Sequence, residues 1–125
     1  MSDALRISVL YCGGELFSRT FAGKSILIGR EADCELRLNH SDVSRHHACI
    51  TRRGPWCYLL RDLESSNGTF VQGEAISVVP ILEGGWVRIG VFDLTFRHVA
   101  VPWSEAEEPD TALARVREQD TIEVG

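Results

Sequence analysis

The chain has 125 residues, of which 44% are hydrophobic and 25% charged, an ordinary composition for one globular domain long enough to build a core. Its formal net charge is −5, which speaks against the basic footprint of a nucleic-acid binder. No apolar run approaches the roughly 20 residues that span a bilayer, and no basic segment followed by an apolar core opens the chain, so a cytoplasmic protein without a membrane partner is expected.

In chain order, Leu5, Ile7 and Val9 alternate with Arg6 and Ser8, the period-two pattern of a half-buried strand. Cys12-Gly13-Gly14 supplies a turn, and Glu15 to Phe21 reads as a second strand. Gly23-Lys24-Ser25 matches the tail of a phosphate-binding P-loop, but Ser18 stands where that loop needs its first glycine and a β-run follows where it needs a helix. The third strand, Ile26-Leu27-Ile28, ends in a first polar island, Gly29-Arg30. A short strand at Leu36 and Leu38 and a polar loop, Asn39 to Val43, lead to a second island, Ser44-Arg45-His46-His47. Ala48 to Arg53 and Trp56 to Asp62 form two strands around an Arg53-Gly54-Pro55 turn. A third island, Ser65-Ser66-Asn67-Gly68-Thr69, precedes Phe70-Val71. A turn at Gln72-Gly73, a strand from Ile76 to Pro80, a turn around Leu82 and Gly84, and strands at Trp86 to Ile89 and Phe92 to Phe96 complete the body.

The islands carry the chemistry. Arg30 and Arg45 offer planar guanidinium forks that match phosphate or carboxylate oxygens. Ser44 adds a hydroxyl donor, and Asn67 an amide that donates and accepts. Asn67-Gly68 is also a turn signal, since both residues tolerate positive φ. The inventory suits recognition of a small anionic group. A nucleophilic reading of Ser44 lacks support, because no G-x-S-x-G elbow exists in the chain. The four cysteines, Cys12, Cys34, Cys49 and Cys57, form no C-x-x-C pair and have no histidine at zinc-finger spacing. Reduced packing thiols are expected, with no metal and no cofactor.

The order Gly29-Arg30, Ser44-x-x-His47, Ser66-Asn67-Gly68-Thr69 resembles the forkhead-associated (FHA) domain. Asp62-Leu63, Leu82 with Gly84, Ile89-Gly90 and Phe92 to Phe96 match its lesser features, and the likeness covers roughly residues 5–98. The resemblance implies an all-β fold, a sandwich of about eleven mostly antiparallel strands. It implies a non-enzymatic, phosphothreonine-dependent protein–protein interaction module of Ser/Thr kinase signalling, binding phosphothreonine peptides through loops at one end. Carried over, Arg30, Ser44, Arg45, Ser66 and Asn67 contact the phosphopeptide, while Gly29, His47 and Gly68 support the site. The partner would be a phosphothreonine-containing protein, such as a Ser/Thr kinase or its substrate. The alternatives are an FHA-like scaffold that docks partners without phosphate, and a hydrolase. Gln72 and Gly85 depart from residues frequent in the family, at turns remote from the islands.

Residues 1–100 hold eleven basic and eleven acidic groups, so the body is neutral and the acidity belongs to residues 101–125. This division reads as a binding domain, 1–100, followed by an acidic linker or tail, 101–125, in which Thr111 to Gln119 could form a short helix. Thr111 or Thr121, if phosphorylated, would be a candidate ligand for the chain's own site.

Overall fold

A computed structural model describes residues 2–102, and the acidic run, the Thr111–Gln119 segment, Thr111 and Thr121 lie outside the described residues. Eleven strands form two sheets, and no helix occurs among the described residues. One sheet has six strands in the order β2(Gly14–Phe21), β1(Ser2–Tyr11), β11(Phe92–Val101), β10(Trp86–Ile89), β7(Thr69–Val71), β8(Glu74–Ala75). The other has five, in the order β4(Leu36–Arg37), β3(Ser25–Gly29), β5(Ala48–Gly54), β6(Cys57–Asp62), β9(Val78–Pro80). All strand pairs are antiparallel except β3–β4.

Alternation explains which face each strand buries. Leu5, Ile7 and Val9 of β1, Val87 and Ile89 of β10, and Phe92, Leu94 and Phe96 of β11 point inward from the first sheet. Ile26 and Ile28 of β3, Ile50 of β5, and Tyr58 and Leu60 of β6 meet them from the second. The closing strand runs past the point where alternation fades in the sequence. It continues to Val101 because β1 pairs with it along its whole length, from Tyr11↔Phe92 to Ser2↔Val101.

Two further boundaries differ from the sequence reading. Gly54 belongs to β5, and the β5–β6 turn falls on Pro55-Trp56, with Trp56 at φ +57°. The apolar run from Ile76 to Pro80 is not one strand, because the chain changes sheets inside it. Ile76 N–H donates to Thr69 O in the first sheet, while Ser77 O accepts from Asp62 N–H in the second, both at 2.9 Å. The Asn67-Gly68 turn closes no hairpin; its loop carries the chain from β6 in one sheet to β7 in the other.

The registers gather the islands. Ile28 pairs with Ala48, and Ala48 with Asp62, so the end of β3, the start of β5 and the end of β6 lie side by side. Ile89 pairs with Thr69 and with Phe92, which brings the start of β7 and the β10–β11 turn to the same end.

Candidate functional site

Gly29 is the first fixed point of this end. A Cβ built on it would meet the backbone oxygen of Arg45 at 2.2 Å, so only glycine lets the β4–β5 loop lie this close. Two backbone bonds use the approach: Arg30 N–H donates to Ser44 O at 3.0 Å, and Glu31 N–H to Arg45 O at 3.2 Å. The first two islands are thereby paired residue against residue.

His47 joins the second island to the third. It is fully buried, its Nδ1 accepts from Ser44 N–H at 3.0 Å, and its Nε2 lies 2.9 Å from Gly68 O. Because Nδ1 accepts, Nε2 carries the proton and donates it. Its backbone is tied as well, N–H to Ile28 O at 2.8 Å and O to Leu63 N–H at 2.9 Å. Burial pushes the imidazole below its usual pKa, against the opposing influence of the Gly68 hydrogen bond and the Asp62 charge, so it is held neutral. Both ring nitrogens are committed, which leaves His47 without a lone pair or proton for chemistry.

Asp62 organises the third island. Its Oδ1 accepts from Ser65 Oγ at 2.6 Å and Thr69 Oγ1 at 2.7 Å, and its Oδ2 from Ser65 N–H at 3.1 Å. Ser65 Oγ accepts in turn from Gly68 N–H at 3.0 Å. Burial pushes this carboxyl up, but the Ser65 and Thr69 hydrogen bonds outweigh it and hold the group below its usual value. Gly68 turns the chain at φ +88°, and Asn67, unlike Gly68, keeps negative φ. In the sequence Asp62 stands as a strand end and, with Leu63, as a lesser family feature; an acid followed three residues later by serine, an Asx-turn pattern, was the available signal for its role in the loop.

On this frame stand the groups expected to bind. Ser44 Oγ accepts from Ser66 N–H at 2.9 Å, and the hydroxyl keeps its own proton to donate. No imidazole nitrogen of His47 faces that hydroxyl in a hydrogen bond, since both are engaged with backbone. Asn67 Nδ2 donates to Asp42 O at 3.0 Å, which orients the amide and leaves its oxygen to accept. Arg30 Nε is buried with no hydrogen-bond partner among the described residues. Arg45 is different: its side chain is 76% exposed and, among the described residues, its near charge is Glu31, 3.9 Å away. Beside Asn67 lies a hollow of about 330 Å³ lined by Asp42, Asn67, Phe70, Arg88 and Gly90. The fold thus brings Arg30, Ser44, Ser66 and Asn67 to one end, with Arg45 at its rim.

The opposite end holds a cluster that the sequence does not announce. The Asp3 carboxylate, in the first strand, accepts from Arg52 Nη2 and, at 3.0 Å, from Arg52 Nε. Trp56 N–H at 3.1 Å and Tyr58 Oη at 3.0 Å complete its shell. The Arg52 hydrogen bond, against the cost of burial, holds the Asp3 carboxyl well below the usual carboxylate range. Burial, then Asp3, pushes the Tyr58 phenol up to about 12. The ring of Tyr58 stacks on His98 at 5.6 Å.

Set against known proteins, the chain matches the family model described as FHA domain over residues 26–90. It is 44% identical over 71 residues to the transcriptional regulatory protein EmbR of Mycobacterium tuberculosis, a match covering 56% of this chain and 18% of EmbR. A domain solved in a structural and functional analysis of phosphothreonine-dependent FHA domain interactions superposes with a TM-score of 0.69 at 28% identity, covering 78% of this chain and 99% of that one. The structure of Mycobacterium tuberculosis EmbR in complex with a low-affinity phosphopeptide gives a TM-score of 0.69 at 33% identity, over 79% of this chain and 25% of that one. The chain spans less than a fifth of the length of the curated relative it matches.

Proposed function

Because the chain belongs to the forkhead-associated (FHA) domain family, we propose that it is a phosphothreonine-dependent protein–protein interaction module of Ser/Thr kinase signalling. One observation carries the reading. Among the described residues Arg30 has a buried guanidinium nitrogen without a partner, and its backbone is hydrogen-bonded to that of Ser44, whose hydroxyl proton is left to donate. A buried donor left alone costs about 1–3 kcal/mol, so the guanidinium gains by turning toward a phosphate oxygen in a charge-assisted bond.

In this reading Arg30 and Ser44 hold the phosphate, and Ser66 and Arg45 add contacts from the rim. The Asn67 oxygen accepts from the peptide backbone beside the phosphothreonine, and flanking peptide residues occupy the hollow next to Asn67. Gly29, His47 and Gly68 keep the loops in place. The ligand is a phosphothreonine-containing protein, a Ser/Thr kinase or its substrate, met in the cytoplasm. The committed nitrogens of His47 support a non-catalytic role for Ser44. The binding domain comprises the strands through the end of β11, and the acidic residues after it serve as a linker or tail.

Calorimetry with a degenerate phosphothreonine peptide library, and with its unphosphorylated twin, tests this. Binding of the phosphorylated pool alone is expected, and its best sequences would define the flanking preference. Equal binding of both pools would overturn the reading in favour of a scaffold that docks without phosphate.

A further inference from the structure

The loops around Arg30 and Ser44 also assemble three groups that the phosphate reading does not use. Asp33 and Cys34 lie between β3 and β4, and His46 between β4 and β5. One ligand atom from each lies within 4.8 Å of the other two. His46 Nε2 is 3.0 Å from both oxygens of Asp33, and Cys34 Sγ is 3.9 Å from Asp33 Oδ1. The sulfur is fixed from behind: it donates to Arg45 O at 3.5 Å, and the Cys34 N–H donates to Glu31 O at 3.2 Å. Asp33 and His46 are exposed, so the cluster opens to solvent on their side.

We propose that Asp33, Cys34 and His46 form a three-residue site for a borderline-soft divalent cation, Zn²⁺ above all. Thiolate, imidazole and carboxylate are the donors zinc takes, at about 2.0–2.3 Å. A tetrahedral zinc ion with such bonds keeps its ligand atoms about 3.2–3.8 Å apart. The carboxylate–imidazole and carboxylate–sulfur separations already stand near that range. The remaining gap closes by a turn of His46, whose side chain is 48% exposed. Hard cations such as Mg²⁺ and Ca²⁺ avoid sulfur, so the site discriminates against them. Three protein ligands leave a fourth position to water.

Binding has a definite proton balance. Cys34 gives its thiol proton to solvent and becomes the thiolate ligand, while His46 shifts its proton to Nδ1 and presents the Nε2 lone pair. Burial, with Asp33 beside it, pushes the cation-free thiol up to about 12, and the cation's charge is what offsets that. A bound ion would replace the His46–Asp33 hydrogen bond and tie the β3–β4 loop to the β4–β5 loop. The inference stands on these residues whether or not a phosphopeptide binds nearby.

The test uses the full chain, reduced and stripped with a chelator, titrated with ZnCl₂ in a calorimeter and with Co²⁺ in a spectrophotometer. One equivalent of Zn²⁺ is expected, and the Co²⁺ form should show a sulfur-to-metal charge-transfer band. Cys34→Ser should abolish that band, and His46→Ala should weaken Zn²⁺ at least tenfold. Cys12→Ser and Cys57→Ser, at exposed thiols, should change neither. Since Cys34 is buried and its variant could misfold, the exposed variants decide: wild-type affinity in both His46→Ala and Asp33→Asn overturns the site. So does the absence of stoichiometric binding, or binding that follows Cys12 or Cys57.

Discussion

The two ends of the sandwich use polar groups in opposite ways. At the far end Asp3 is 7% exposed and surrounded by donors from Arg52, Trp56 and Tyr58, so the charge, the guanidinium and the phenol satisfy one another. At the loop end the partners are incomplete. Among the described residues Arg30 Nε has none, the Ser44 proton and the Asn67 oxygen are left over, and the frame that holds them is His47 and Asp62. A closed polar cluster ties β1 of one sheet to the β5–β6 hairpin of the other. An open one, held by a closed frame beneath it, keeps groups that a ligand can use. The difference lies in the shell around Asp3, which is complete, against Arg30, Ser44 and Asn67, which are not; outside that shell His98 Nε2, on the ring stacked against Tyr58, is also buried without a partner among the described residues.

Breaking the closed end should give the largest effect and leave binding alone. Asp3→Ala strands Arg52 and the Tyr58 hydroxyl, and removing one member of a buried pair costs about 3–5 kcal/mol. Arg52 keeps 29% of its side chain in water, which lowers the expectation to about 2–4 kcal/mol. Denaturant titration should register that loss while phosphopeptide affinity of the folded protein stays at wild type. A matching loss of affinity would mean that the two ends are coupled and the comparison fails.

The loop end should also respond to pH in a region where the far end does not. The folded Asp3 carboxyl lies below its unfolded value of about 3.9, so its contribution is complete above about pH 4 and fades as pH falls below that. His47 is held neutral with a lowered value. The unfolded chain therefore takes that proton first, and stability declines once pH drops below about 6.5. His47→Gln can keep an acceptor and a donor without titrating, so it should flatten the decline between pH 7 and 5. Asp3→Asn should leave that region unchanged and make the decline below pH 4 shallower, with Asp62 of the loop frame supplying what remains. Stability is the proper readout, because the phosphate itself titrates near pH 6. An unchanged slope in His47→Gln would show that the imidazole is protonated as easily folded as unfolded.

At the open end, Arg30→Ala should have the reverse signature to Asp3→Ala. Loss of a charge-assisted bond to phosphate is worth about 1.5–3 kcal/mol, or roughly 10- to 150-fold in affinity. Folding stability should hold or rise, because the variant removes an unpartnered buried donor. Calorimetry on the folded variant that returned wild-type affinity would remove Arg30 from the phosphate site.

The open end was the more legible of the two. Its residues sit in three short islands at strand ends, where polar side chains interrupt apolar runs, and that pattern survives in one dimension. The alternation of Leu5 to Val9 and Phe92 to Phe96 likewise gave the strands that became the centre of one sheet. The Asp3 cluster was opaque, because an acid near the start of a strand looks solvated until its partners, 49 to 55 residues away, are folded onto it. The switch of sheets at Ile76-Ser77 was hidden for the same reason: both peptide groups find their partners in distant strands. Asp33, Cys34 and His46 show no ligand spacing in sequence and meet only because Gly29 lets two loops touch.

Replacing phosphothreonine by phosphoserine in a good ligand probes how much of the open end is shape. The family resemblance implies a small recess for the γ-methyl group. One buried methyl is worth about 0.8 kcal/mol, and the β-branched side chain arrives with fewer rotamers to lose. Several-fold weaker binding of the phosphoserine peptide is expected in matched titrations. Equal affinities would mean that the loops read charge alone.

The smallest expected effect separates the two arginines of the loop end. Arg45 lies at the rim with its side chain 76% exposed, 3.9 Å from Glu31. Water and salt screen an ion pair made there, so Arg45→Ala should cost about 0.2–1 kcal/mol of phosphopeptide binding, roughly 1.4- to fivefold. Raising the ionic strength should shrink that difference, since exposed charges are screened over about 8–10 Å in ordinary buffers. The Arg30→Ala deficit should persist in salt, because its Nε is buried. Measuring both variants at low and high salt therefore sorts the pocket from its rim. An Arg45→Ala loss as large and as salt-resistant as that of Arg30→Ala would show that the ligand draws Arg45 out of solvent, and that the closed frame beneath the open end is itself rearranged on binding.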